Sequence, residues 1–97
     1  MTITAKRTDK NQQAIVLAFH YFGCQVQSLA DVGRGCPDLL VNFDGRLILV
    51  EVKDGSNRLN KQQRQWHELW HTAPVFIARN LEDVPKILGV DPRKEAV

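Results

Sequence analysis

The chain is 97 residues long, 43% hydrophobic and 25% charged, with a formal net charge of +2. That balance belongs to one globular domain and excludes a disordered chain, a collagen-like chain and a coiled-coil rod. No apolar run approaches the roughly 18–20 residues of a membrane span, and the mildly basic charge permits a nucleic-acid partner without requiring one.

Residues 1–8 read as a loose basic arm with Lys6 and Arg7, and the polar start argues against secretion. Asp9 reads as an N-cap, with Gln12 completing a capping box. A helix is expected to about Phe22, with Ile15, Phe19 and Phe22 on its apolar stripe and Gly23 as its stop. Cys24 to Leu29 alternates apolar and polar, as a half-exposed strand does. A loop follows from Asp31 to Pro37, with glycines at 33 and 35. The apolar runs Leu39–Phe43 and Leu47–Val52 flank Asp44-Gly45, a hairpin signal. After a polar loop, Asn60 caps a second helix with Gln63 at its third position. Trp66, Leu69, Trp70 and Ala73 mark the buried face of this helix, and Pro74 ends it. Val75–Arg79 is a further strand. A short helix spans about Glu82 to Leu88, with Pro85 in its first turn, and residues 91–97 form a frayed tail. The order α-β-β-β-α-β-α predicts one α/β (α+β) domain over residues 1–97, a small sheet flanked by helices.

The hairpin places two acids together. With a two-residue or four-residue turn at Asp44-Gly45, cross-strand partners sum to 89, and Asp38 lands opposite Glu51 on one face. A three-residue turn would instead set Asp38 against Val52. Directly opposed like charges destabilise a sheet unless something offsets them, and a hard divalent cation does so with carboxylate oxygens and waters. Lys53 projects from the same face as Glu51, and the Val52 carbonyl between them offers a further oxygen ligand. The ordinary alternative is a turn residue at Asp38 and a solvent-facing salt bridge between Glu51 and Lys53. That alternative does not explain why so apolar a strand passes into Glu-Val-Lys opposite an aspartate.

Pro37-Asp38 followed thirteen residues on by Glu51-Val52-Lys53 resembles the PD-(D/E)XK nuclease motif. With Gly35-Cys36 before it and Gln63 and Trp66 after it, the chain resembles the VRR-NUC branch, and most of all the small stand-alone type of phages and prophages. The resemblance covers about Asp9 to Arg79. It implies a restriction-endonuclease-like mixed sheet flanked by helices and a phosphodiester-hydrolysing site. In that site Asp38, Glu51 and the Val52 carbonyl bind Mg²⁺ or Mn²⁺, Lys53 positions or activates the attacking water, and Gln63 contacts the centre. The family often carries an acid on its first helix; here Gln12 stands at the matching position and adds no charge. The stand-alone relatives imply a homodimer that resolves four-way DNA junctions in the cytoplasm of a bacterial host. A monomeric flap or nicking nuclease, and a non-cleaving nucleic-acid-binding module, are the alternatives. No membrane and no organic cofactor enter this reading.

Arg34, Arg58, Lys61 and Arg64 bracket the expected site and, with Lys6 and Arg7, are candidate phosphate contacts. Gln63 shares a helical stripe with Trp66 and Trp70, so it serves either as a cap, as a site residue or as both. Trp66 and Trp70 read as core packing rather than stacking platforms. His67 and His71 lie four residues apart with no third ligand evident and read as partly exposed. Cys24 and Cys36 lack metal or CxxC spacing and read as small buried hydrophobes in a reducing compartment.

Overall fold

The computed structural model describes residues 10–91 and 93. Lys6, Arg7, the expected cap at Asp9, and the tail beyond Asp91 apart from Arg93 lie outside the described residues. The elements are α1 (Lys10–Tyr21), β1 (Gln25–Ser28), β2 (Leu39–Phe43), β3 (Arg46–Val52), α2 (Lys61–Leu69), β4 (Val75–Ala78) and α3 (Asp83–Leu88). This is the α-β-β-β-α-β-α order expected. None of these helices is long and apolar enough to cross a membrane.

The four strands form one mixed sheet in the order β1-β2-β3-β4. β1, β2 and β3 run antiparallel, whereas β4 lies parallel to β3 after the crossover through α2. Parallel neighbours need such a crossover. At the β2–β3 turn Asp44 and Gly45 both have positive φ, 54° and 91°. Two left-handed residues make the tight turn whose twist matches paired strands, and an Asp-Gly pair tolerates it. Phe43 therefore pairs with Arg46 and Leu39 with Val50, so cross-strand partners sum to 89.

This register sorts the side chains. Leu39, Val41, Ile48 and Val50 point to one face and are buried with Ile15 and Phe19 of α1 and Val84 and Leu88 of α3. Alternate residues, among them Leu47, Leu49 and Glu51, point to the other face. In the parallel pair Glu51 lies beside Ile77. That second face is thinly covered: Leu47 is 57% exposed, while Glu51, at the far end of the same strand, is only 1% exposed.

The second helix departs from expectation. α2 has no buried residue; Leu69 and Trp70 are exposed and Trp66 is only half-buried. The indoles of Trp66 and Trp70 stack on each other, centroids 4.7 Å apart and planes 2° from parallel. They satisfy one another on the surface rather than filling the core. The helix also ends at Leu69, before Pro74, through a turn in which the Ala73 amide bonds the Trp70 carbonyl. Residues 70–74 then lead into β4 at Val75.

Candidate active site

The site begins where the β2–β3 ladder stops. Beyond the Leu39–Val50 pair, the Asp38 carboxylate replaces a backbone acceptor: its Oδ2 takes the Val52 amide at 2.8 Å. The Asp38 carbonyl takes the Leu29 amide at 2.7 Å, which ties it to the end of β1. Asp38 is thus held on both sides and kept facing Glu51.

Glu51 is a buried acid near the end of β3, an interior strand of the sheet. Burial, then a hydrogen bond and the negative charge from Asp38, push its pKa up from the usual 4.5 to about 8, against the opposing pull of Lys53. Lys53 therefore lies within electrostatic range of Glu51, as its spacing along the strand requires. The Lys53 backbone is well fixed. Its amide bonds the Ala78 carbonyl at 3.1 Å, extending the parallel pairing, and its carbonyl accepts the Asn11 side-chain amide at 3.0 Å. Asn11 also donates to the Arg79 carbonyl at 3.3 Å, so α1 clasps the ends of β3 and β4.

α2 closes the site from above. Asn60 and Gln63 form the capping box expected from their spacing: the Asn60 side chain accepts the Gln63 amide at 2.9 Å, and Gln63 Oε1 accepts the Asn60 amide at 2.8 Å. The same Gln63 side chain donates from Nε2 to Glu51 Oε2 at 3.2 Å. One residue performs both roles, because capping uses its oxygen and the site contact uses its nitrogen. Gly35 permits this seating. A Cβ there would lie 2.3 Å from the Gln62 carbonyl oxygen, and its φ of +83° already favours glycine.

Two neighbours of the site add contacts or exposure that the sequence does not show. His67 is partly exposed, as expected, but its contact with the site was not: its Nε2 is fully covered and lies 3.8 Å from Glu51 Oε1, and neither atom has a hydrogen-bond partner. The signal was its spacing of one turn from Gln63, which puts both side chains on one helix face. Burial lowers the His67 pKa and keeps the ring neutral. His71 is exposed, so the two histidines do not converge. Cys36 is half-buried rather than buried, and the charges of Glu51 and Asp38 add to burial in raising its thiol pKa. That thiol is correspondingly unreactive.

The remaining candidates are spread around this centre. Gln12 is half-buried on α1, beside a groove shared with Ser28 and Leu39. Arg34, Arg58, Lys61 and Arg64 are all exposed. Arg34 has a φ of 58° and is carried to the first turn of α2 by its neighbour Gly35. Arg64 caps the Leu59 carbonyl at 2.9 Å. The Arg58 loop is pinned by Arg79, whose guanidinium bonds the carbonyls of Gly55 and Asn57 at 2.8 and 2.6 Å.

A solved structure described as a VRR_NUC domain has the same fold, with a TM-score of 0.69 and 32% sequence identity over 82% of this chain and 91% of that one. The chain belongs to the VRR-NUC family. No protein-family profile matches it, and no curated protein does. The match spans nearly the whole VRR-NUC structure, so this chain is a VRR-NUC domain with the nuclease-type fold.

Proposed function

We propose that this VRR-NUC domain is a divalent-metal-dependent endonuclease that hydrolyses phosphodiester bonds in branched DNA. The observation that carries the reading is Glu51. A carboxyl almost fully buried beside a second carboxyl, with one oxygen left without a partner, is unfavourable unless a cation completes it. Among the described residues no group of three or more His, Cys, Asp or Glu converges as a metal cage. The protein therefore offers two carboxylates, Asp38 and Glu51, with the Val52 carbonyl and waters for the rest. That oxygen-rich, partly hydrated donor set suits Mg²⁺ or Mn²⁺. Such an ion, when bound, polarises the scissile phosphate and lowers the pKa of water.

The chain's own residues do the rest. Asp38, fixed by the Val52 amide, and Glu51, fixed by Gln63, set the positions of the acidic oxygens. The Lys53 ammonium beside them orients the attacking water and meets the negative charge that develops on the phosphate. Water adds to phosphorus and one P–O bond breaks, leaving a phosphate monoester on one product and a hydroxyl on the other. Gln12 adds a hydrogen-bonding group without charge. Arg34, Arg58, Lys61 and Arg64 supply phosphate contacts around the centre, with Lys6 and Arg7 added from the N-terminal arm.

A junction has four strands and needs two symmetric cuts, which a two-fold dimer provides. The support for two copies is the uncovered second face of the sheet, with Leu47 and Ile77 exposed on it and Leu69 and Trp70 exposed on α2. Where such exposed apolar side chains form a contiguous patch, they mark an interaction site. The test is cleavage of a labelled four-way junction beside flap, duplex and single-stranded DNA, in Mg²⁺, Mn²⁺ or EDTA, with Lys53→Ala as control. Paired symmetric cuts in the junction, absent in EDTA and in Lys53→Ala, are expected. Cutting of flaps or linear DNA alone would discard the junction assignment. Binding without cleavage of any substrate would discard the nuclease.

A further inference from the structure

We infer that His67 is a positioning residue for Glu51, donating from Nε2 to Oε1 while Gln63 donates to Oε2, so that one face of α2 grips both oxygens of the carboxylate. The role for the carboxylate in catalysis rests on the metal-site reading above; the hydrogen bond itself does not.

The two atoms left unpartnered in this region, Glu51 Oε1 and His67 Nε2, face each other at 3.8 Å. Both are covered, and at that separation no water fits between them. A covered polar atom without a partner costs roughly 1–3 kcal/mol. The two atoms point at each other, and a closure of about 1 Å reaches ordinary hydrogen-bond length. The direction of the bond follows from the acceptor. Once Glu51 is ionised, as a metal-binding carboxylate must be, its oxygen can only accept, so a bare Nε2 would then set two lone pairs against each other. The neutral ring must therefore carry its proton on Nε2. The His67 side chain is 20% exposed although its Nε2 is covered, so part of the ring meets solvent, where Nδ1 can find water.

The ring is also held in place. Trp66 lies against it edge to face, centroids 5.9 Å apart at 70°, and Trp70 stacks on Trp66. Gln63 and His67 are one helical turn apart, so the capping box that seats Gln63 sets the height of His67 as well. Carboxylate ligands held this way keep one orientation, and loss of such a partner typically weakens metal binding 10–100-fold.

Two measurements test this on the full-length chain. Long-range ¹⁵N correlation spectra of the metal-free protein, recorded well above pH 8 so that Glu51 is ionised, read the imidazole tautomer directly. The Nε2–H form of His67 is expected; the Nδ1–H form, with Nε2 bare, would overturn the assignment. Mn²⁺ titration of His67→Gln and His67→Met separates donation from packing, because glutamine presents a nitrogen donor at similar reach and methionine fills similar volume without one. His67→Gln is expected to bind Mn²⁺ close to wild type, and His67→Met at least about tenfold more weakly. Wild-type affinity in His67→Met would show that the ring only fills space. Should His67→Met fail to fold in melting experiments, the tautomer decides. A wild type that binds no Mn²⁺ would refute the metal site, and with it any catalytic role for the grip, while the spectrum still judges the hydrogen bond.

Discussion

The pKa of Glu51 predicts that the metal-free protein becomes less stable as pH rises through neutrality. Unfolded, this carboxyl ionises near 4.5; folded, burial and Asp38 hold its proton to about pH 8. Between those values the native state binds more protons than the unfolded state, so stability is highest at the acidic end and is lost as pH rises through 8. His67 acts in the opposite sense. Burial lowers its pKa below the ordinary 6.5, so its contribution is present above 6.5 and lost as pH falls. The interval from 6.5 to 8 therefore isolates Glu51. One proton of difference is worth about 1.4 kcal/mol per pH unit, and the slope flattens toward 8, so the loss across the interval is about 2 kcal/mol. In a chain of this length that is a fall in Tm of roughly 10 °C. The assay is thermal or urea denaturation in EDTA at pH 6.5 and 8. Wild type should lose stability over the interval, and Glu51→Gln, which cannot ionise, should not. Wild-type stability that is constant or rises over the interval, or a full pH dependence retained by Glu51→Gln, would refute the argument.

Gly35→Ala should weaken both fold and function, because its Cβ meets the Gln62 carbonyl at a left-handed backbone position; denaturation should show a loss of about 1–3 kcal/mol, with cleavage reduced as α2 shifts off Glu51. Lys53→Ala should lower kcat for DNA cleavage by about 10²–10⁴ while leaving Mn²⁺ affinity intact, as read by single-turnover kinetics and metal titration. Asn11→Ala removes the clasp on the Lys53 and Arg79 carbonyls and should cost about 1–2 kcal/mol in urea denaturation. Leu69→Glu with Trp70→Glu adds charge to the exposed face of α2; if that face carries the proposed dimer contact, light scattering should report a dimer for the wild type and a monomer for the variant.

Much of the centre was legible along the chain. A two-residue turn needs residues that tolerate positive φ, and Asp44-Gly45 supplies them; once that turn is set, strand alternation places Asp38, Glu51 and Lys53 with no further information. The Asn60–Gln63 capping box was equally local, since it needs only a spacing of three residues. These features depend on neighbours in sequence or on one hairpin, and local sterics decide them. The packing of α2 was not legible. Periodicity shows that Trp66, Leu69 and Trp70 share a stripe but not whether anything lies opposite it, and here the sheet face beneath is left largely open. His67 was missed for the same reason. Helical spacing gives its direction relative to Gln63, whereas its approach to Glu51 depends on how the Gly35 loop lets the helix settle. Sequence alone determined the hairpin, its register and the acidic pair, because backbone geometry over a few residues dictates them. Only the tertiary structure decided which side of α2 meets that pair and which is left bare, because that is set by contacts between segments far apart in the chain.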